Sequence, residues 1–228
     1  MTNVVLMADA IHASAHNIPA KGIDVAGYVT GSADILWTPA DFARFDKTTG
    51  ILRIDQSPSL SVYANGHAHI ADIEAGAATV PAWINASKHR LAQNAAWFPR
   101  AYFSFSRIAE VARAVVSAGI QLGSCGFWVA DWNLNLAGAS ALVGDYQIPG
   151  TGMTVHIRAV QWASPSSNPN TQLPGTSMTL KAANVDLSVK AAAWFAGTQP
   201  MTPVHAALVT SDLKSRIVTS VDSGKTWS

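Results

Sequence analysis

Two carboxylates, Asp72 and Glu74, follow a short apolar run at residues 69–71. In a β-strand, residues i and i+2 point to the same face, so this spacing predicts two carboxyl groups side by side. Such a pair is the minimum needed to hydrolyse a glycosidic bond: one group donates a proton to the leaving oxygen, and the other stabilises positive charge or activates a nucleophile. In the structural alternative, Asp72 caps the following helix and Glu74 is a solvated loop charge.

The elements that must position this pair are visible as short apolar runs that mostly end in a polar or acidic residue. Eight runs are strand candidates, at 4–9, 25–30, 51–55, 69–74, 101–105, 127–131, 157–161 and 184–189. Helical signals lie between several of them. Thr38 is an expected N-cap, because it stands just before a proline at a helix start. Residues 79–81 are expected to open a longer helix that runs to about Ala95. A further helix is expected from Ser106 to a stop at Gly119.

Strands that alternate with helices predict a parallel sheet and an α/β fold. Eight strands predict a compact (β/α)8 TIM-like barrel over residues 1–196. An open doubly wound sheet is the alternative, but no glycine-rich nucleotide fingerprint follows the first strand. In such a barrel the functional residues gather at the C-terminal strand ends. The polar residues that fall there are Asp9, Asp55, Asp72, Glu74, Asp131 and Gln161.

Residues 197–228 are predicted to form a linker and a short C-terminal β-hairpin tail, with arms at 208–210 and 216–220. Residues 220–227 read S-x-D-x-G-x-T-W, which resembles the Asp-box of sialidase-like propellers. In such hairpins the motif fixes a turn, and a single copy cannot build a propeller. We therefore interpret the tail as an accessory for assembly, through a structural partner or through self-association.

Composition restricts the class of protein. Apolar residues make up 49% of the chain and charged residues 13%, which predicts a well-packed domain. The net charge of +1 gives no bulk electrostatic basis for binding nucleic acid or an anionic membrane. The single cysteine, Cys125, excludes an internal disulfide framework and a cysteine metal cluster.

The N-terminal apolar run at 4–8 has no basic flank and does not reach the length of a membrane span. No signal peptide and no membrane insertion are therefore expected. The expectation is synthesis in the cytoplasm, with another route to any target outside it.

Histidines raise the question of a metal site. His12 and His16 are four residues apart, and His67 and His69 precede the carboxylate pair. On a regular strand His67 and His69 fall on the face opposite to the two carboxylates, which argues against convergence on a zinc ion. No metal and no other cofactor is expected.

The motifs together resemble the glycoside hydrolase family 25 lysozymes, and more closely the family-25-like hydrolase domains of actinobacteria and their phages. The resemblance covers about residues 4–195 and lies in six motifs in family order. They are Asp9 at the end of the first strand, 26–31 with 37–41, the D-x-E segment 71–76, the aromatic strand 126–132, the segment 159–162, and the closing V-D-L-S segment within 184–189.

Family 25 enzymes cleave the β-1,4 bond between N-acetylmuramic acid and N-acetylglucosamine in peptidoglycan. The resemblance implies that Glu74 is the general acid. It implies that Asp72 assists the substrate N-acetyl group or stabilises an oxocarbenium-like state, and that Asp9 orients or tunes the pair. Two adjacent carboxylates repel, which raises one pKa and lets that group stay protonated near neutrality.

The chain departs from the family pattern in two places. Asp9 lacks the usual G-x-D-V-S context, and a similar string stands at 22–25 instead. If Asp24 belonged to the first strand, the role given to Asp9 would fail. We prefer Asp9, because it yields eight strands and puts the D-x-E segment on the fourth. Trp132 stands where a family enzyme commonly has tyrosine.

Other residues near the strand ends are predicted to contact a glycan: Tyr28, Asp55, Trp128, Asp131, Trp132, Gln161, Trp162 and Asp186. The faces of the three tryptophans can stack on sugar rings or pack in the core. The three aspartates have structural alternatives: satisfying loop amides for Asp55, capping a turn for Asp131 and closing the barrel for Asp186.

The first hypothesis is therefore a peptidoglycan N-acetylmuramidase, encoded by a phage and acting as a lysin or a virion-associated wall hydrolase. The second is a barrel that binds glycan, or serves in a virion, without cutting. An open acidic groove around Asp9, Asp72 and Glu74 would favour the enzyme. A side-chain plug in that groove would favour the non-catalytic module.

Overall fold

A computed structural model of the protein describes residues 3–45 and 50–194. The strands are β1 Val4–Asp9, β2 Asp24–Tyr28, β3 Ile51–Asp55, β4 Ile70–Asp72, β5 Arg100–Ser104, β6 Gly126–Ala130, β7 Gly144–Gln147, β8 Thr154–Ala163 and β9 Asp186–Ala191. The helices are α1 His12–Ala15, α2 Pro39–Ala43, α3 Ser61–Ala64, α4 Val80–Gln93, α5 Ile108–Ser117, α6 Leu136–Leu142 and α7 Leu180–Ala183. The predicted C-terminal hairpin falls outside the described residues.

Eight strands close into a barrel of mixed α/β type. The order around the ring is β1-β2-β3-β4-β5-β6-β8-β9, and β9 pairs with β1 to complete it. The eight predicted strands are all present, and Asp72 ends the fourth, as expected. A ninth strand, β7, was not predicted. It pairs antiparallel with the first half of β8, across a turn in which Gly150 and Gly152 have positive φ.

The direction of one strand differs from the predicted parallel barrel. β9 is antiparallel to both of its neighbours, β8 and β1. A parallel return needs a crossover that carries the chain back to the other end of the barrel. The connection at 164–185 contains only α7, a helix of four residues, as its regular element. The chain therefore re-enters at the end where β8 finishes, and the first residue of β9 lies beside the last residue of β1.

The helices between the strands are mostly short. Within the described ranges, only α4 (14 residues) and α5 (10 residues) are longer than seven residues. The predicted cap is confirmed, since Thr38 accepts the backbone N–H of Asp41 at 3.2 Å. Thr79 caps α4 in the same way, accepting the backbone N–H of Ala82 at 3.3 Å. None of the helices described combines the length and the apolar character needed to cross a membrane.

The apolar core lies outside the barrel wall, under α4 and α5. Phe103 of β5 and Phe127 of β6 point outwards, and their ring centroids are 5.3 Å apart. Trp83 of α4 packs edge-on against Phe127 at 6.2 Å. Val111 and Val115 of α5 are fully buried. This packing holds β5 and β6 against the two longest helices, so that side of the wall is rigid.

The interior of the barrel is polar for much of its length. Trp128 of β6 donates its indole N–H to the Ser188 hydroxyl of β9 at 3.1 Å. Because β6 and β9 are not neighbours in the ring, these side chains meet inside it. Two residues further along β9, Lys190 forms an ion pair of 2.7 Å with Asp24 at the start of β2. The interior thus contains hydrogen-bonded polar groups, as burial requires.

Candidate active site

Four carboxyl groups gather at one end of the barrel. Asp9 ends β1, Asp72 ends β4, and Glu74 lies two residues beyond β4. Asp186 begins β9, and because β9 runs in reverse, its first residue joins the ends of the parallel strands. Three separate elements therefore supply one acidic cluster.

The turn after β4 fixes the relation between Asp72 and Glu74. The Asp72 carboxylate accepts the backbone N–H of Glu74 at 3.0 Å. Glu74 is past the last residue of the strand, so the pair is not the pair of strand neighbours that the spacing predicted. Asp72 does not cap the following helix either, since Thr79 does so. The chain instead folds back at this point, and Gly76 with φ of +91° continues the turn.

The environment raises the pKa of both groups. Asp72 is 3% exposed, and burial raises its pKa to about 6, against the opposing hydrogen bonds from the Glu74 backbone and the Gln56 amide. Burial, followed by the charge of Asp72, raises the pKa of Glu74 to about 7. The Tyr102 hydroxyl and the charge of Arg107 act in the opposite direction and partly offset this rise. Near neutral pH, Glu74 can therefore hold a proton while Asp72 is largely ionised.

Asp9 and Asp186 form the second half of the cluster. Asp9 is 2% exposed, and burial raises its pKa well above the ordinary range, with a further contribution from Asp186. Burial raises the pKa of Asp186 to about 7, and the charge of Glu74 adds to this effect. The charges of the first half of the cluster therefore act on the second half: Glu74 raises the pKa of both Asp9 and Asp186.

A chain of hydrogen bonds crosses the barrel interior under this cluster. The side-chain N–H2 of Gln161 donates to both carboxylate oxygens of Asp9, at 3.1 Å each. The hydroxyl of Tyr102, on β5, donates to the carbonyl oxygen of Gln161. Tyr102 and Asp9 are thus joined through the buried side chain of Gln161.

Two pockets open at the acidic end. The larger, of about 650 Å³, is lined by Glu74, Arg107 and Glu110 together with the turn that follows β4. The smaller, of about 250 Å³, is lined by Asp9, Asp186 and the Tyr28 side of β2. Glu74 is the member of the D-x-E pair that lines a pocket, and it is only partly buried.

Tyr28 belongs to this site. Burial raises its pKa well above the ordinary value, and the charges of all four carboxyl groups of the cluster act in the same direction. A neutral tyrosine hydroxyl beside four acidic groups is suited to hydrogen bonding with a polar ligand. The structure thus groups six of the predicted site residues: Asp9, Tyr28, Asp72, Glu74, Gln161 and Asp186.

Asp55 does not face either pocket. Its carboxylate is fully buried and accepts hydrogen bonds from the Thr30 hydroxyl at 2.8 Å and the Ser57 backbone at 2.9 Å. It also accepts the Ser57 hydroxyl at 2.6 Å and the Tyr63 backbone N–H at 2.7 Å. These bonds use the lone pairs that a ligand would need. Asp55 therefore holds the loop after β3, which was the structural alternative for this residue.

The remaining aromatic candidates divide by exposure. Trp128 is buried, and its ring packs against Tyr102 at 4.8 Å, so it belongs to the interior rather than to a sugar platform. Trp162 is also buried, at an irregularity in the pairing of β8 with β9. Trp132 keeps 40% of its surface exposed just beyond β6. Asp131 accepts the backbone N–H of Asn133 at 3.1 Å and so fixes that turn.

The alternative aspartate for the first strand lies elsewhere. Asp24 begins β2, at the opposite end of the barrel from the cluster, where it pairs with Lys190 and accepts the Gly50 backbone N–H at 2.7 Å. Asp9, and not Asp24, is therefore the residue that reaches the acidic cluster.

His69 turns away from the carboxylates: its Nδ1 accepts the backbone N–H of Arg53 at 3.0 Å, and burial lowers its pKa to about 3. Within residues 3–45 and 50–194, no three His, Cys, Asp or Glu side chains converge in a way that could hold a metal ion.

Three residues at the site were not predicted from the sequence: Gln56, Tyr102 and Arg107. Tyr102 stands in register with Asp72 across β4 and β5. A tyrosine among apolar residues near a strand end was the available signal, because a buried hydroxyl needs a partner. Gln56 lies one residue beyond β3 and Arg107 just before α5, both on the acidic end of the barrel.

Comparison of the chain with known proteins gives no matching family model, no matching curated protein and no matching solved structure. The function is therefore argued from the geometry of the site.

Proposed function

We propose that the protein is a glycoside hydrolase that cleaves the β-1,4 bond between N-acetylmuramic acid and N-acetylglucosamine in peptidoglycan. The observation that carries the proposal is the turn in which Asp72 binds the backbone of Glu74, while Glu74 itself lines a pocket of about 650 Å³. This arrangement presents a protonated carboxyl group to a bound glycan and holds a buried, largely ionised one next to it. The barrel is proposed to be a reduced form of the (β/α)8 TIM-like architecture.

Glu74 is the general acid. With a pKa of about 7, it is largely protonated at and below neutral pH and can donate to the glycosidic oxygen as the C–O bond breaks. Its position at the pocket gives the leaving group access to that proton. Once the proton has left, the carboxylate can accept a proton from the incoming water, since the same group works in both directions.

Asp72 supplies the negative charge. It is held by the backbone N–H of Glu74 and, at 3.4 Å, by the Gln56 amide, so its carboxylate is fixed before the substrate arrives. Such a charge stabilises the positive charge that develops at the sugar ring, or orients the N–H of a substrate N-acetyl group. Asp9, held by the Gln161 amide at 3.1 Å, is proposed to orient or tune the pair.

The glycan strand is proposed to extend over the acidic end of the barrel. Asp186 and Tyr28 line the smaller pocket and offer hydrogen bonds to sugar hydroxyls. Trp132, with its exposed ring beyond β6, provides a face on which a sugar can stack. The setting proposed is a phage lysin or a virion-associated wall hydrolase, with residues 197–228 serving assembly.

A second candidate function is a barrel that binds glycan, or serves in a virion, without cutting. The observation that favours it is the burial of Asp9 and Asp72, which are 2% and 3% exposed. Gln161 and Tyr102 fill part of the interior next to them. The enzyme is preferred because general acid catalysis needs access to one carboxyl group, and Glu74 has it.

The test is a digestion of actinobacterial peptidoglycan by the purified protein, followed by borohydride reduction and mass spectrometry of the soluble fragments. The native protein is expected to release fragments with reduced muramic acid ends. Glu74→Gln is expected to release none above background. Asp145→Asn, which also changes a carboxyl to an amide but on exposed β7, is expected to match the native protein.

Each departure from this pattern has a distinct meaning. Reduced glucosamine ends in place of muramic acid ends would assign the other glycosidic bond. Full activity of Glu74→Gln would show that a different group is the acid. No new reducing ends from any wall tested, with binding of the glycan retained, would establish the non-catalytic module.

A further inference from the structure

The larger pocket at the acidic end is lined by a continuous stretch of backbone and by a charged pair. Residues 73–81, which form the turn after β4 and the start of α4, line one part of it without a break. Ser104, Arg107 and Glu110 line the rest. Of the described residues that line this pocket, none is aromatic. Because sugar rings commonly pack on aromatic faces, the pocket is poorly suited to a pyranose ring.

Arg107 and Glu110 form the charged pair. The guanidinium donates to the Glu110 carboxylate through Nε at 2.9 Å and through Nη2 at 2.8 Å. Its Nη1 donates to the backbone carbonyl of Ile73 at 2.5 Å, in the turn that carries Glu74. The hydrogen bond with Arg107 lowers the pKa of Glu110, so both members of the pair are charged at neutral pH.

The pair keeps hydrogen-bonding capacity for a ligand. A guanidinium has five N–H groups. Three of those of Arg107 have acceptors within the described part of the chain, which leaves one N–H on each terminal nitrogen. Each carboxylate oxygen of Glu110 likewise has a lone pair beyond the one that Arg107 uses. The Arg107 and Glu110 side chains are 32% and 55% exposed, so a ligand in the pocket can reach both.

The ligand that matches this lining is a short peptide that carries a carboxylate and an ammonium group. Residues 75–78 are Ala, Gly, Ala and Ala, and such small side chains let an extended chain approach the backbone closely. The carboxylate fits the two remaining N–H groups of Arg107, and the ammonium group fits Glu110. The volume of about 650 Å³ is within the range of sites for small molecules.

We propose that this pocket binds the peptide stem of the N-acetylmuramic acid residue, with Arg107 holding a stem carboxylate and Glu110 a stem ammonium group. The inference rests on the proposed function. The stem leaves the muramoyl ring at O3, two ring carbons from the anomeric carbon at which the bond breaks. Glu74 lines the same pocket, so a stem bound there places its own sugar beside the acid. The pocket then selects peptidoglycan over glycans without peptides.

Binding of the stem can be measured without any cleavage. The chain contains two glutamates, Glu74 and Glu110, and both line the pocket. Labelling with glutamate enriched in ¹³C at the side-chain carboxyl therefore gives two resonances in the full-length protein, each from the pocket. The probe is the free tripeptide L-alanyl-γ-D-glutamyl-diaminopimelate, which has no glycosidic bond. It is expected to shift the Glu110 resonance saturably, whereas chitotriose is expected to leave that resonance unmoved.

Two modified peptides test the charges separately. One has its carboxyl groups amidated, and the other has its amino groups acetylated. Each modification removes one of the two charge-assisted contacts and is expected to weaken binding by about fivefold or more. The Arg107→Met variant is expected to lose the preference for the free carboxylate over the amide.

Arg107 also holds the turn at Ile73, so a kinetic test must separate that role from stem binding. The two substrates are soluble, uncross-linked peptidoglycan with its stems, and the same glycan after an amidase has removed the stems and the lactyl carboxyl has been capped as a methylamide. Arg107→Met is expected to lose about tenfold more kcat/KM on the first substrate than on the second. Arg113→Met removes a positive charge from an exposed position of α5 and is expected to match the native protein on both.

Three outcomes would overturn the inference. The first is a Glu110 resonance that the free tripeptide does not shift saturably. The second is a modified peptide that binds as tightly as the free one. The third is an equal loss of kcat/KM on both glycans in Arg107→Met, which would show that Arg107 acts only through the turn. The first two need no variant, so they decide the matter even if Arg107→Met does not fold.

The binding test and the digestion of walls fail separately. If the tripeptide binds as expected but no wall is cut, the stem pocket stands and the protein is a module that binds peptidoglycan without cleaving it. If the protein releases reduced muramic acid ends but neither binds the tripeptide nor distinguishes the two glycans, the muramidase stands and the stem pocket falls.

Discussion

Asp9 and Asp186 stand directly opposite each other in the antiparallel pairing of β1 with β9. Like charges in that position destabilise a sheet, and burial of Asp9 increases the cost of ionising both. The pair is tolerated because each pKa is raised and a proton can remain on the cluster. The acidic end of the barrel is therefore a place where the fold is locally weakened.

The first prediction concerns the stability of Asp186→Asn. The pKa of Asp186 is about 7 in the folded protein and near 3.8 when unfolded. The protonated carboxyl group therefore stabilises the fold fully at low pH, and this stabilisation is lost as pH rises through about 7. The amide does not titrate. Since one pKa unit corresponds to about 1.4 kcal/mol, the free energy of unfolding of the variant, relative to that of the native protein, is expected to rise by up to about 4 kcal/mol between about pH 4 and pH 8.

Urea denaturation at a series of pH values measures this difference. Asp34→Asn is the control, because the Asp34 carboxylate is exposed and its hydrogen bond with Ser32 lowers its pKa. That variant should show no gain at high pH. A difference between Asp186→Asn and the native protein that stays constant with pH would contradict the prediction.

The second prediction concerns the dependence of activity on pH. In the proposed mechanism Asp72 must be ionised, and its pKa of about 6 then sets the rising limb. Glu74 must be protonated, and its pKa of about 7 sets the falling limb. The expected kcat/KM profile is a bell with its maximum between these values. In Arg107→Met the loss of a nearby positive charge should move the falling limb to higher pH, and a shift the other way would be inconsistent with this account.

The third prediction concerns the buried ion pair at the other end of β9. The Lys190 side chain is 2% exposed. The Asp24 side chain is 19% exposed and also accepts a hydrogen bond from the Gly50 backbone N–H. Asp24→Asn removes the carboxylate that lies 2.7 Å from the buried Lys190 ammonium group and is expected to cost about 3–5 kcal/mol. Lys190→Met should cost less, because Asp24 retains a donor and some contact with water. Equal costs in thermal denaturation would argue against this difference in environment.

The fourth prediction concerns Gly27, in the middle of β2. A Cβ at this position would lie 2.2 Å from Cδ2 of Trp37. The indole is buried and donates to the carbonyl of Ala10 at 2.7 Å, so it cannot move aside freely. Gly27→Ala is expected to cost about 3 kcal/mol or more in free energy of unfolding.

Gly123→Ala is the matched control for this substitution. The nearest atom to a Cβ there is Nε2 of His156, at 3.7 Å, which is an ordinary contact. Chemical denaturation should show a change within about 0.5 kcal/mol for this variant. A small cost at Gly27 would mean that Trp37 and the first strand can repack around the added Cβ.

Much of the barrel could be predicted because its strands are buried on both faces and its turns are polar. The runs that end at Asp9 and Asp72 are apolar up to the carboxylate, so the ends of these strands could be predicted. The cap at Thr38 could be predicted for a related reason: a hydroxyl just before a proline at a helix start satisfies a local backbone donor.

The rest depends on contacts between distant parts of the chain. The reverse direction of β9 follows from the path of residues 164–185, and nothing within the strand itself encodes it. The role of Tyr102 depends on its meeting Gln161 across the ring, 59 residues away in sequence. The loop role of Asp55 depends on how Ser57 and Tyr63 fold back over it. Periodicity carries no information of this kind.

The position of β9 has a consequence for how the chain acquires its structure. The ring closes when residues 186–191 insert between β8 and β1. The closing pairs join the first strand to the last one described, from Val4 with Ala191 to Asp9 with Asp186. Contacts of such sequence separation form late and slow the search for the native state. Until they form, β1 and β8 each present an open edge, and the nascent barrel depends on rapid closure, or on a chaperone, to avoid association.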